Sequence, residues 1–162
     1  RRRVADLERR LASQSRTGVV SEIDAANGLA LVRLLDGDQE FLTGWMPWEE
    51  PAAGANKTHN PPSVGQQVRI HSESGDLHDA SIQGSLNSSA NGRPSGAGDE
   101  YVLSAVGPCR VSISDGGGTC RVKVGASSLT LTDSAIVAAS NGSVLVLNAG
   151  GIALNGARID LN

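Results

Sequence analysis

The sequence predicts a mostly β chain of three unlike parts: a short N-terminal helix, a small barrel, and a C-terminal stack of short strands shared by three copies. Three observations carry this expectation. Twenty glycines stand beside only 2% aromatic residues, so apolar burial falls to Val, Leu, Ile and Ala on short strands joined by tight turns. Heptad-spaced aliphatic residues occur only near the N-terminus. Apolar pairs then recur at a short, regular interval through the last third of the chain.

The first element is RRRVADLERRLASQSR, residues 1–16, which reads as helix with Val4, Leu7 and Leu11 at a/d spacing. About two heptads are too few for an isolated coiled coil to hold well. Two arrangements stay open with equal weight: an exposed helix resting on its own domain, or one docked on a neighbouring subunit or partner.

Residues 17–88 switch to strand patterning. TGVVSEIDAANGLALVRLLDG reads as two strands joined through Asn27-Gly28, EFLTGWMPW as a third, and VGQQVRIHSESGDLHDASIQGSL as a pair turned at Ser74-Gly75-Asp76. Some five short strands in this span match a Greek-key barrel of the OB type. PAAGANKTHNPPS is an irregular loop within it. Residues 89–100 carry Gly and Pro breakers without hydrophobic periodicity and read as a linker.

Residues 101–162 hold the repeat. The pairs are Val122/Val124, Leu129/Leu131, Ile136/Ala138, Val144/Val146, Ile152/Leu154 and Ile159/Leu161, at steps of 7, 7, 8, 8 and 7 residues. Turn-forming residues lie between them: Gly125, Asn141-Gly142, Gly150-Gly151 and Asn155-Gly156. Each unit is thus a strand of about three to five residues plus a turn. Two aliphatic side chains cannot offset the entropy of ordering seven or eight residues, so units must stack. A single-chain solenoid built from two or three steps per coil is one solution, but it needs a wide apolar interior. These sparse, small pairs suit a narrow axis shared by three chains, an intertwined triple-stranded β-helix. Its expected core is Val122, Val124, Leu129, Leu131, Ile136, Val144, Val146, Ile152, Leu154, Ile159 and Leu161. About eight layers would make a stiff rod of roughly 40 Å.

TGVV at 17–20, LVRL at 31–34, GWMPW at 44–48, PPSVGQQV at 61–68 and GDLHDASIQGSL at 75–86 resemble the central spike of contractile-tail baseplates, the phage baseplate assembly protein V family. R-type bacteriocin spikes and type VI secretion tips share that architecture. The order of helix, OB barrel, linker and repeat-built spike matches over nearly the whole chain. The resemblance implies a homotrimer seated on baseplate hub and tail tube proteins, which pierces the target bacterial outer membrane mechanically and leaves room for a separate tip-capping protein. It implies assembly in the cytoplasm into a virion or an extracellular contractile-tail particle. Some relatives end in a His-x-His pair that binds iron, whereas His59, His71 and His78 here all lie in the barrel region. Either the tip is built without that site or the chain is a fragment. The inserted lysozyme domain of some relatives has no room here.

No catalytic, metal or cofactor site is expected. Asp36, Asp38 and Glu40 alternate on a turn and Glu49-Glu50 close a strand, none in an apolar setting that would raise a pKa. His71, Asp76, His78 and Asp79 match no standard ligand spacing and read as a solvated turn. Trp45 and Trp48 read as packing, preferably at a trimer contact, rather than a stacking platform. SDGGGT at 114–119 lacks the Lys-Ser/Thr of a phosphate loop and reads as a wide turn that pairs Cys120 with Ile113 rather than Cys109. The two cysteines are therefore expected to be reduced core residues. With 19% charged residues and net charge −3 there is no basic field for nucleic acid. The charged start does not read as a signal peptide, and the longest apolar run is short of a membrane span. Two rivals are a trimeric receptor- or glycan-binding tail fibre, and an OB-type nucleic-acid binder with a disordered tail.

Overall fold

The computed structural model describes residues 2–36 and 39–159. The chain divides into two compact units, residues 1–92 and 93–162. Helix α1 spans Arg2–Ser13. The predicted helix ran through Arg16, but the chain turns extended at Ser15, because Ser15 and Arg16 pair with His71 and Ile70.

Strand β1 is Ser15–Asp24, β2 Leu29–Asp36, β3 Gln39–Leu42, β4 Met46–Pro47, β5 Gln67–His71 and β6 Ser81–Leu86. They form one antiparallel sheet ordered β3-β2-β1-β5-β6, with β4 also on β2. The sheet curls until Trp48 bridges Ile82 and the Glu49 N–H donates to the Ile82 carbonyl at 2.8 Å. Alternation places one face inside: Val20, Ala30, Val32, Leu34, Met46, Val68, Ile70, Ala80 and Ile82 are buried together. The predicted third strand is two pieces, and Thr43 is the reason. Its backbone N–H donates to the Val32 carbonyl at 2.9 Å, while its buried hydroxyl accepts from the Val32 N–H at 3.0 Å and donates to the Gly44 carbonyl. The side chain thus stands in for a ladder bond where the chain bends from β3 to β4.

Gly18 sits where β1 passes between β2 and β5, opposite both Leu34 and Val68. A Cβ there would lie 2.5 Å from Val32 Cγ1, 2.7 Å from Leu34 Cδ2 and 2.8 Å from the Arg33 carbonyl oxygen. The barrel closes tightly because this position carries no side chain.

The second unit is a seven-stranded antiparallel meander in strict chain order. Its strands are β7 (Tyr101–Val106), β8 (Cys109–Ser114), β9 (Thr119–Val124), β10 (Ser127–Thr132), β11 (Ala135–Ser140), β12 (Ser143–Asn148) and β13 (Gly151–Asn155). They are five or six residues long, longer than the predicted three to five, since most turns take only two residues. Asn141-Gly142 has both residues at positive φ (48° and 88°), the left-handed pair that matches strand twist in a tight hairpin. Among the described residues seven layers stand where about eight were expected, and stack to roughly 30 Å. Of the last pair, Ile159 lies past β13, which ends at Asn155, and Leu161 lies outside the described residues.

The two units are joined across residues 87–100 without helix or strand. The start of that stretch is tied down: Ser88 and Asn91 exchange backbone hydrogen bonds, and the Asn91 side chain donates to the Gly65 carbonyl at 3.0 Å.

Gly18→Ala should cost the barrel about 1–3 kcal/mol, because the displaced neighbours include backbone. Urea unfolding followed by tryptophan fluorescence, which reports this unit alone, measures it. Gly84→Ala, with open space around its Cβ position, should be near neutral.

Candidate assembly interface

In an antiparallel meander each two-residue turn reflects one strand onto the next, and opposed residues share a face. The register therefore sorts the predicted core. Val122 pairs with Leu129, Leu129 with Ala138, Leu131 with Ile136, Ile136 with Leu147, and Leu147 with Ile152. Leu145 pairs with both Ala138 and Leu154. Val122, Val124, Leu129, Leu131, Ile136, Ile152 and Leu154 thus share one face, continuous across β9 to β13. Val111, Ile113 and Cys120 extend it, Ile113 standing opposite Cys120 and Cys109 opposite Val124.

Val144 and Val146 are on the reverse face. Val146 pairs with Val137, and Val144 with Ala139. Moving the apolar pairs along the chain by a constant step groups them with the others, but reflection at Asn141-Gly142 sends Ile136 to Leu147 instead. Leu145 and Leu147 are the residues the sequence reading passes over. The signal that finds them is the turn position, from which each partner follows.

None of this apolar surface has a layer over it. Among the described residues of the second unit only Ser112 is buried, and no aliphatic side chain is. Val122, Val124, Leu129, Leu131, Ile136, Ile152 and Leu154 remain between 37% exposed at Leu131 and 72% at Ile152. A trough of about 610 Å³ lies over the face, bordered by Val122, Val124, Leu129, Leu145, Leu154 and Ile159. On the reverse face β9 and β10 are polar: Arg121 Nε donates to its cross-strand neighbour Thr130 at 3.2 Å.

At the foot of the sheet Glu100 Oε2 pairs with Arg110 Nη2 at 2.6 Å and accepts from the Ser95 hydroxyl at 2.7 Å, while Arg110 Nη1 donates to the Pro94 carbonyl. The Ser95 hydrogen bond, then Arg110, holds the Glu100 carboxyl down to about 2. This cluster anchors the incoming chain to β8.

In the barrel unit the polar candidates serve local structure. Asp76 accepts from the His78 N–H at 3.0 Å and from its Nδ1 at 2.8 Å, capping the turn at Leu77–Asp79. These bonds hold the Asp76 carboxyl below its usual range and raise the His78 imidazole. Asp79 accepts from the Ser72 hydroxyl. Among the described residues no three His, Cys, Asp or Glu gather in a metal-holding group. Trp48 packs on its own barrel core and donates to Glu50 at 2.7 Å, and Glu50 also takes Thr58 and the Asn60 N–H, fixing the loop that follows. Trp45 is exposed.

Residues 16–86, which span the barrel strands, match the family model of the type VI secretion system/phage-baseplate injector OB domain. Over this stretch the chain is similar to that injector OB domain. The chain is also 32% identical over 96 residues to the spike protein of Escherichia phage P2, which covers 59% of this chain and 44% of that protein. The match thus spans less than half the length of that spike-family relative.

The Glu100–Arg110 cluster predicts an acid-sensitive step. Because the folded carboxyl sits near 2 against an ordinary 4.5, its stabilisation is complete above about pH 4.5 and fades as pH falls toward 2. Acid unfolding of the full chain should show this step, and Glu100→Gln should remove it.

Proposed function

We propose that the protein is the homotrimeric central spike of a contractile tail, carried in a virion or bacteriocin particle, and that it pierces the target cell's outer membrane by stiffness and shape. The observation that carries this reading is the continuous apolar face from Val122 to Leu154 with no layer of its own chain above it. A sheet with no buried aliphatic side chain lacks the hydrophobic term that offsets chain entropy. A second and third copy of the same sheet supply it: three meanders set face inward close a narrow three-sided prism.

In that arrangement every strand from β8 to β12 is hydrogen-bonded on both sides within its own chain, and the apolar seam joins the chains laterally. Val144 and Val146, with Val137, form a second stripe on the reverse face. The right-handed twist of the sheets winds the three chains about one another and brings a neighbour over that stripe. Opening one layer then requires three chains to part together, which suits a body that must transmit an axial blow without bending.

The likeness of residues 16–86 to the injector OB domain, and of the chain to a phage spike protein, supports a structural role in a tail or baseplate. Hub and tail tube proteins are its proposed partners, with a separate tip-capping protein at the far end of the strands. The reading gives the protein no enzymatic step, no cofactor and no nucleic-acid partner.

Light scattering of the purified chain should give about 50 kDa, three times the 16.6 kDa of one copy. Leu129→Asp, at the middle of the face, buries a charge in the trimer and should shift the mass to one copy at micromolar concentration. Arg121→Asp, on the polar reverse face, should leave it trimeric. A wild-type monomer that unfolds cooperatively would end the proposal.

A further inference from the structure

Helix α1 rests on its own barrel by its polar side. The Arg10 backbone lies against the turn at Gly75 (φ 80°), so close that a Cβ on Gly75 would stand 2.6 Å from the Arg10 carbonyl oxygen. Gln14, just past the helix, is fastened to β5 and the following turn: the Ser72 N–H donates to its carbonyl at 2.9 Å, and its side chain donates to the Glu73 carbonyl. The apolar stripe points elsewhere. Val4, Leu7 and Leu11 are 57%, 59% and 65% exposed, and none joins the barrel core. A helix that used this stripe on its own domain would bury it. The anchoring at Gly75 and Gln14 holds it outward.

We propose that the occupant of this stripe is the same stripe of the other two copies, so that the three α1 helices form a short parallel bundle. This rests on the trimeric reading above. Copies related by one rotation axis present their helices in parallel. With Val4 and Leu11 at a and Leu7 at d, Arg3 falls at g and Glu8 at e. In a parallel bundle a g residue faces the e residue five positions later on the neighbouring helix, so Arg3 of each copy meets Glu8 of the next. The sequence therefore sets opposite charges across each of the three helix contacts, while Asp6 and Arg10 pair within the helix at 3.4 Å. A seam of three aliphatic residues is too short to assemble free helices. Tethered to a trimer, the helices meet at high effective concentration, and the seam suffices. The bundle pins the three barrels to one axis at this end.

The test uses the full chain with Cys109→Ala and Cys120→Ala, an apolar background whose mass is first matched to the wild type, carrying either Leu7→Cys on the stripe or Ala5→Cys on the exposed side away from it. Mild oxidation should link Leu7→Cys chains into covalent dimers several-fold faster than Ala5→Cys chains, both at trimer mass. In the Leu7→Cys background, Arg3→Glu should slow the linkage, and adding Glu8→Arg should restore it. Trimer mass with equal linkage at both positions overturns the bundle and leaves the trimer standing; this is also the result if a hub protein covers the stripe. Monomer mass overturns the bundle and the trimeric reading together.

Discussion

An apolar sheet face that nothing else among the described residues of its unit covers governs the second half of this protein. Seven strands satisfy one another's backbone groups, so the hydrogen-bonding problem is solved within one copy. The hydrophobic problem is not. Leu129, Leu131, Ile136 and their neighbours stand on a surface that water reaches in a single copy. In one copy this unit therefore lacks the buried apolar core that the barrel has.

The barrel unit is built on the opposite principle. Its nine-residue apolar core draws on β1, β2, β4, β5, β6 and the residue before β6 within one chain. Gly18 lets the strands approach, Thr43 supplies a ladder bond where the backbone bends, and Trp48 and Glu49 close the curl onto Ile82. The two units thus differ in where their apolar side chains go, inward in the barrel and onto an open face in the meander. The Glu100–Arg110 cluster at the foot of the sheet fixes where the second kind of structure begins.

Much of the layout was legible because each element has a local cause. Heptad spacing marks α1, alternating aliphatics bounded by Asn-Gly mark β1 and β2, and the turn residues mark the meander. The departures arise where a contact distant in sequence overrides a local pattern. Ser15 and Arg16 leave the helix because β5 offers them partners. EFLTGWMPW breaks in two because Thr43 reaches Val32. The packing read for the tryptophans is met by Trp48 within its own barrel, where Ile82 and Glu50 receive it, while Trp45 stays exposed.

By itself the sequence determined that the last third is a stack of short apolar strands, since composition and turn spacing are properties of the chain. It did not determine which aliphatic residues share a face. Val144 and Val146 fall at the same spacing as the other pairs, and in a run of alternating Val and Leu both parities are apolar. Only the folded register decides, because an antiparallel turn reflects the strand rather than translating it. That reflection puts Leu145 and Leu147 with Ile136 and turns the two valines away. Likewise the heptad of α1 is written in the sequence, but which way it faces is settled by the turn at Gly75, 65 residues from Arg10 along the chain.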